Sequence, residues 1–567
     1  MKKVISIGKQ DFAYIRENDC FYVDKTSLIK EWWEGKDDVT LITRPRRFGK
    51  TLNMSMLNCF FSNQYQNRGD LFEGLFIWED ETYRKLQGTY PVIFLSFADV
   101  KQTNGADAIK QVKRIISDVY ESCQYLVKWE NLGERQRRQF LEICPQMDDV
   151  TAQNALKDLT KYLAKYYGKN VIILLDEYDT PMQEAYVHGY WDVFTEFMRS
   201  LFNSTFKTNP YLERAMMTGI TRVSKESVFS DLNNMTVITT TSNRYADCFG
   251  FTEEEVFASL DDFGMGDKKE LVKQWYDGFT FGEHRDIYNP WSIINCLDKK
   301  KIALYWAESS SNGLINSLVK TGSSYIKMMM ETLLKGETID VPIDEQIVFS
   351  QLDYSEDAVW SLMLASGYLK VISSDKLTGD RTKSVMYKLA LTNFEIKLMF
   401  EDMILHWFSP AKNETNEFIK ALICGDIESM NAYMNKVALK TISYFDTGNV
   451  PSDEEPERFF HGFVLGLMVD QSENYIITSN RESGFGRYDI MLEPKDKQTQ
   501  KYPGIVIEFK VINPRKENSL EETVEAALKQ IEDRNYDTEL INRGVNKENI
   551  HHYGFAFKSK EVLIDGR

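Results

Sequence analysis

Gly49-Lys50-Thr51 closes the run TRPRRFGKT (43–51), and a glycine, a lysine and a hydroxyl in that order suit a phosphate. The glycine lets the backbone approach closely, the lysine reaches terminal phosphates, and the hydroxyl holds Mg2+. The full pattern is G-x-x-x-x-G-K-[ST]. Its first glycine falls at Arg44, and Pro45, Arg46, Arg47 and Phe48 fill the positions between. An arginine strains a turn built for glycine, yet guanidinium groups also bind phosphate bidentately. Read alone, the run fits a working nucleotide site, a decayed one or a basic loop. NVIILLDEYD (170–179) adds a buried apolar run ending in two acids, in the correct order after the GKT. Asp176 then takes a Mg2+ role and Glu177 polarises the attacking water; the plainer alternative is a strand ending in a solvated acidic turn. In TGITR (218–222), Thr218 is placed to sense a terminal phosphate and Arg222 to neutralise it, although a threonine and an arginine after a strand are ordinary. The expected nucleotide set is Arg47, Phe48, Gly49, Lys50, Thr51, Asp176, Thr218 and Arg222, with Glu177 catalytic and ATP and Mg2+ as cofactors.

A second constellation stands near the C-terminus, in GRYDIMLE (486–493) and GIVIEFKV (504–511). Glu508 and Lys510 are two apart and share one face of a strand, while Phe509 takes the other. Asp489 begins a neighbouring apolar run, so pairing of the two strands brings the carboxylates together. Two carboxylates make a hard oxygen site suited to Mg2+. A lysine beside them orients a hydrolytic water and balances charge on a phosphoryl transition state. E-x-K alone is common, and the alternative is an edge strand with a surface ion pair.

The elements that must position these groups have an α/β rhythm. Buried strands are expected at 39–45, 90–97, 170–179, 213–223 and 235–241. Helices are expected after the GKT and at about 105–127, 150–168 and 190–206. Beyond about 250 the pattern reads as mostly helical, a lid or bundle. DTGNVPSDEEPE (446–457) reads as a linker. After it the strand signal returns, with a helix at about 518–535, as in a small mixed α/β domain. The expected domains are 1–250, 251–445 and 446–567.

The 567 residues exceed one ordinary core, and the net charge of −17 disfavours a general phosphate-backbone binder, so any nucleic-acid contact must be local. Seven scattered cysteines without C-x-x-C spacing fit reduced thiols. No apolar run reaches the ~18 residues of a membrane span, and the polar start does not read as a secretory signal. A cytoplasmic, soluble protein is expected.

FYVDKTSLI, LITRPRRFGKTLNMSML, IILLDEYDTP, MTGITRVSKESVFSDLNN, WYDGFTFG…IYNPWSI and GFGRYDIML…GIVIEFKV resemble the bacterial AAA-ATPase-like family with a C-terminal PD-(D/E)XK nuclease-like domain. The resemblance implies a P-loop NTPase parallel-sheet domain, a helical middle region and a restriction-endonuclease-like α/β domain. RPRRFGK[ST] is that family's usual phosphate loop, so Arg44 is a family variant. Lys50, Thr51, Asp176 and Glu177 match its nucleotide motif, and Asp489, Glu508 and Lys510 its nuclease motif. The resemblance adds Glu457 as a further metal-side acid and puts Gln530 and Tyr536 near that site; helix packing or solvated surface is the alternative for each. Asp24, Lys25 and YDTP (178–181) match signatures without an assigned chemistry. The implied partners are ATP and DNA or RNA, with a homo-oligomer open because a cation at the terminal phosphate can come from this chain or a neighbouring copy. Two other readings stand beside this one. The first is a nucleotide-dependent switch with a non-catalytic C-terminal module that binds nucleic acid or protein. The second is a sugar- or protein-binding lid on a silent P-loop fold.

Overall fold

The structure, a computed structural model, describes residues 3–221, 232–306, 313–344, 355–374, 385–407, 412–442, 474–483, 486–497, 502–513, 517–558 and 561–567, with Phe229, Leu352 and Val464. The chain divides into two compact units. One comprises Met1–Ile315 with Thr338–Met399, and the other Asn316–Glu337 with Phe400–Arg567.

In the first unit β1 (Val39–Thr43), β2 (Val92–Ser96), β3 (Val171–Asp176), β4 (Leu212–Gly219) and β5 (Met235–Ile238) form one sheet. Their order is β2-β3-β4-β1-β5, and every pairing is parallel. Parallel strands buried on both faces read as continuous apolar runs, as β1 and β3 do, with every residue buried. Ile42, Ile172, Leu174, Met216 and Ile238 form a core with Met54, Leu57, Phe60 and Phe61 of the helix Lys50–Phe61. Ile173, Leu175 and Met217, which alternate with them, are buried too, so the opposite face is also covered.

The stretch read as mostly helical also carries two three-stranded sheets. β6 (Phe251–Thr252), β7 (Asp277–Phe281) and β8 (His284–Tyr288) pair in the order β6-β8-β7. β9 (Ile339–Pro342), β10 (Leu369–Ser374) and β11 (Met386–Leu391) pair as β10-β11-β9. WYDGFTFG reads as punctuation because its strands are short and interrupted by turn residues. In fact Gly282, at φ +59°, turns a two-residue hairpin between Phe281 and His284.

Asp24 and Lys25 work in this packing. Asp24 accepts from the Thr26 amide at 2.8 Å and the Phe76 amide at 2.7 Å, fastening two loops. The buried Lys25 ammonium donates to both Glu255 oxygens and to the Asp247 carbonyl, each at 2.7 Å. Glu255 also closes the capping box of the helix Glu253–Asp262.

Asp277, at the start of β7, gives this unit a pH dependence. Burial and the neighbouring Asp286 carboxylate push its pKa up to about 7, against the opposing pull of Lys273 and Lys370. Tyr288 and Glu253 complete the surroundings, with Tyr288 donating to Glu253 at 3.2 Å. The folded state therefore keeps a proton that the unfolded chain releases in the usual carboxylate range. The stabilisation is full below that range and is lost as pH rises through about 7. Asp277→Asn is expected to raise the thermal midpoint at pH 8 and to raise it by less near pH 5, which melts at the two pH values check.

In the second unit β12 (Tyr475–Ser483), β13 (Gly486–Pro494), β14 (Gly504–Val511), β15 (Ile550–Lys558) and β16 (Glu561–Gly566) form a sheet in chain order. Only the β14–β15 pairing is parallel. Ile505, Ile507 and Phe509 lie in a core with Phe418, Leu422, Met430 and Met434. Val506 and Met491 lie in a second core with Leu528, Ile531 and Tyr536, beneath the helix Leu520–Arg534. Across the described residues no helix is long and apolar enough to cross a membrane, and all seven cysteines are free thiols.

Candidate functional site

Two side-chain constellations stand out, one in each unit. In the first, Gly49 ends the loop after β1 at φ +77°, a left-handed conformation natural to glycine. The helix Lys50–Phe61 begins at once, with no side-chain cap on its first amides. Open space lies where a side chain on Gly49 would project.

The strand order explains how the acids meet this helix. Asp176 follows Leu174 by two residues, so it shares the face that packs on the helix. β4 lies between β1 and β3, and Thr218 follows Met216 on the same face. The result is a buried carboxylate held from both sides. Thr51 Oγ1 donates to Asp176 Oδ2 at 2.7 Å, and the Thr218 hydroxyl donates to Asp176 Oδ1. Burial raises the Asp176 pKa, and the two hydroxyls oppose that rise. Lys50 is buried and its pKa is lowered by desolvation, with Glu177, Asp179 and Asp176 opposing the shift. Its ammonium turns back onto the loop, donating to the Arg44 carbonyl at 2.9 Å and the Pro45 carbonyl at 2.8 Å. Glu177 adopts φ +51°, and its Oε2 accepts from Thr180 Oγ1 at 3.0 Å.

The loop's other side chains have partners of their own. Arg44 is fully buried. It donates to the carbonyls of Thr43 at 2.9 Å and Thr239 at 2.8 Å, and its guanidinium lies 4.3 Å from the Phe281 ring centre. Burial pushes its pKa down to about 9. Arg46 donates to Gln183 Oε1 at 3.2 Å, and Arg47 lies 4.4 Å over the Trp291 ring. The Phe48 ring packs edge-on against Phe279 at 4.7 Å and Phe281 at 5.5 Å, so only its backbone is left to face a ligand. Arg44→Gly, which restores the glycine pattern, is expected to leave ATP affinity no better. It should destabilise by about 3 kcal/mol through the cavity and the unpaired carbonyls. Melts and nucleotide titrations check both halves.

In the second unit Ile490 pairs with Ile507, so extending the antiparallel register by one residue sets Asp489 opposite Glu508. Asp489 shares its face with Met491, and Glu508 and Lys510 share theirs with Val506, so all three lie on the side of the helix Leu520–Arg534. Asp489 Oδ2 accepts from the Phe509 amide at 2.8 Å. The Gln530 side chain joins the remaining groups. Its Oε1 accepts from Lys510 Nζ at 2.7 Å, and its Nε2 donates to Glu508 Oε1 and, at 3.1 Å, to the Tyr536 hydroxyl. Burial and the charges of Glu508 and Asp489 raise the Tyr536 pKa.

Both donor sets fit the groups their motifs imply. An uncapped helix start, a lysine and open space beside Gly49 suit a polyphosphate. Thr51 with Asp176, and Asp489 with Glu508, offer hard oxygen donors suited to Mg2+. Arg222 and Glu457 lie outside the described residues. Asp179 had no expected role; its sequence signals were a third acid in DEYD and its place in YDTP, a signature without an assigned chemistry.

Residues 6–229 match the family model described as a predicted AAA-ATPase, and residues 455–566 match that of the PD-(D/E)XK nuclease superfamily. The chain is also 24% identical over 581 residues to a protein of Azotobacter chroococcum mcd 1, described as an uncharacterized protein in the vnfD 5′ region. That alignment covers 100% of this chain and 98% of the relative. The chain joins an AAA-ATPase-like domain to a C-terminal domain of the PD-(D/E)XK nuclease superfamily.

Proposed function

We propose that this protein binds and hydrolyses ATP and couples that cycle to a Mg2+-dependent nuclease domain that cuts phosphodiester bonds in DNA or RNA. The observation that carries this reading is the placement of Asp489, Glu508 and Lys510 on one sheet face, with Gln530 joining Glu508 to Lys510 and the Phe509 amide holding Asp489. Residues 1–250 form the nucleotide module, 251–445 the middle region and 446–567 the nuclease module.

At the nucleotide site the start of the helix Lys50–Phe61 takes the phosphates, with Lys50 releasing its loop carbonyls to reach the terminal ones. Thr51 and Asp176 hold Mg2+, which neutralises developing phosphate charge when bound. Glu177 orients the attacking water, Thr218 reports on the terminal phosphate, and Arg222 balances its charge. At the nuclease site Asp489 and Glu508 hold the metal, with Glu457 as a further acid, and bound Mg2+ supplies Lewis acidity at the phosphate. Lys510 orients the hydrolytic water and stabilises charge on the phosphoryl oxygens, while Gln530 fixes its ammonium. A neighbouring copy of the chain is the other source of a cation at the ATP site.

The test measures ATP hydrolysis with and without single- and double-stranded DNA and RNA, and cleavage with Mg2+, Mn2+ or chelator. Cleavage that chelator abolishes, together with ATP turnover stimulated by one nucleic acid, is the expected result. The net charge of −17 favours a second reading, a nucleotide-dependent switch with a non-catalytic C-terminal module. Binding without cleavage under any metal would select it.

A further inference from the structure

Asp179 is a buried acid that the proposed chemistry leaves unused. It stands at the start of the helix Thr180–Val187, yet its side chain does not cap that helix. Instead Oδ2 reaches across to the loop after β4. There it accepts from the Ile220 amide at 2.8 Å, the Thr221 amide at 2.8 Å and Thr221 Oγ1 at 3.0 Å. The residue is 4% exposed, and its Oδ1 has no hydrogen-bond partner. A methyl group on Gly219 would lie 2.6 Å from that oxygen, so the carboxylate and the loop fit only because residue 219 is glycine. Tyr178 reinforces the same junction: its amide donates to the Thr218 carbonyl at 3.0 Å and its hydroxyl to the Thr221 carbonyl at 2.7 Å.

These bonds have a directional consequence. Asp176 fixes the Thr218 side chain, and Asp179, three residues on, fixes the backbone that follows it. Two carboxylates from the end of β3 thus set the position of the end of β4 relative to the phosphate loop. Lys50 is the cation that acts on both. A shift of Lys50 toward a phosphate therefore changes the field at the group that holds the 219–221 backbone.

We propose that Asp179 is a positioning residue that holds the 218–221 loop where it discriminates a terminal phosphate, so that it governs turnover and the preference for triphosphate over diphosphate. This rests on the nucleotide reading above. Burying an acceptor against two amides is costly to undo, because each amide is then left unpaired. Residues 47–51 make no hydrogen bond to Asp179, which reaches them only through its charge on Lys50, the residue placed at the terminal phosphate, so the effect is expected to fall on that phosphate.

The test uses the full-length chain, with Mg2+-ADP and Mg2+-ATPγS as probes and steady-state ATP hydrolysis as the rate. Asp179→Ala is expected to lower kcat about tenfold or more and to weaken ATPγS binding, while ADP affinity stays within about threefold. Asp179→Asn, which keeps an acceptor oxygen, should recover most of both losses. If the alanine variant does not fold, Gly219→Ala decides, because its methyl crowds the Asp179 carboxylate at 2.6 Å and the Tyr178 ring at 2.7 Å, both of which hold the same loop, and should give the same selective loss. Wild-type kcat and selectivity in these variants, or equal weakening of ADP and ATPγS, would overturn the proposal. A wild-type chain that binds neither nucleotide would instead remove the nucleotide reading on which it rests.

Discussion

Lys510→Ala is expected to abolish cleavage, lowering the single-turnover rate by at least about a thousandfold, in line with losing a preorganised charge aimed at a phosphoryl transition state. The ammonium is on the same strand face as Glu508 and is oriented by the Gln530 amide oxygen at 2.7 Å. Removing it leaves the two carboxylates without the group that balances phosphate charge. The fold should survive, because Lys510 is only half-buried and the cores on either side of β14 are built by Val506 on one face and Ile507 and Phe509 on the other. The check is a single-turnover cleavage assay beside a melt and an ATP titration. ATP affinity and the thermal midpoint should match wild type, so a loss confined to cleavage separates chemistry from folding. Lys510→Arg restores charge but not a compact ammonium, and is expected to recover only part of the rate.

The second large effect lies at the other site. Lys50→Ala is expected to weaken Mg2+-ATP binding about a hundredfold, close to 2.7 kcal/mol. The lysine is buried among Glu177, Asp179 and Asp176, whose charges raise its pKa against the desolvation that lowers it. In the structure its ammonium is satisfied by the Arg44 and Pro45 carbonyls, so the loop is already shaped around it. Without the cation a polyphosphate meets the same three acids with less counter-charge beside the helix start. Isothermal titration with ATP checks the affinity, and a melt without nucleotide shows whether the loop itself has been lost.

Much of this arrangement was legible in the sequence, for reasons tied to particular residues. Alternation is a strict geometric consequence of a strand, so E-x-K placed Glu508 and Lys510 on one face before any pairing was known. The apolar run ending in Asp176-Glu177 marked a buried parallel strand and its carboxyl edge. What was not legible depends on contacts between residues distant in the chain. Arg44 reads as a candidate phosphate ligand, but it is enclosed by the Thr239 carbonyl and the Phe281 ring, which no local pattern announces. The hairpin of β7 and β8 was hidden because its strands are short and its turn glycine resembles loop punctuation. Asp179 reads as one more solvated acid until β4 is laid beside β3, when the Ile220 and Thr221 amides arrive to hold it.

The coupling of the two sites is tested most directly by one cleavage assay with Mg2+, run with and without ATP on wild type, Lys50→Ala and Lys510→Ala. Wild-type cleavage is expected to change when ATP is added, Lys50→Ala to cut without responding to ATP, and Lys510→Ala not to cut at all. Cleavage by Lys510→Ala at the wild-type rate would contradict the nuclease assignment, and wild-type cleavage indifferent to ATP would contradict the coupling.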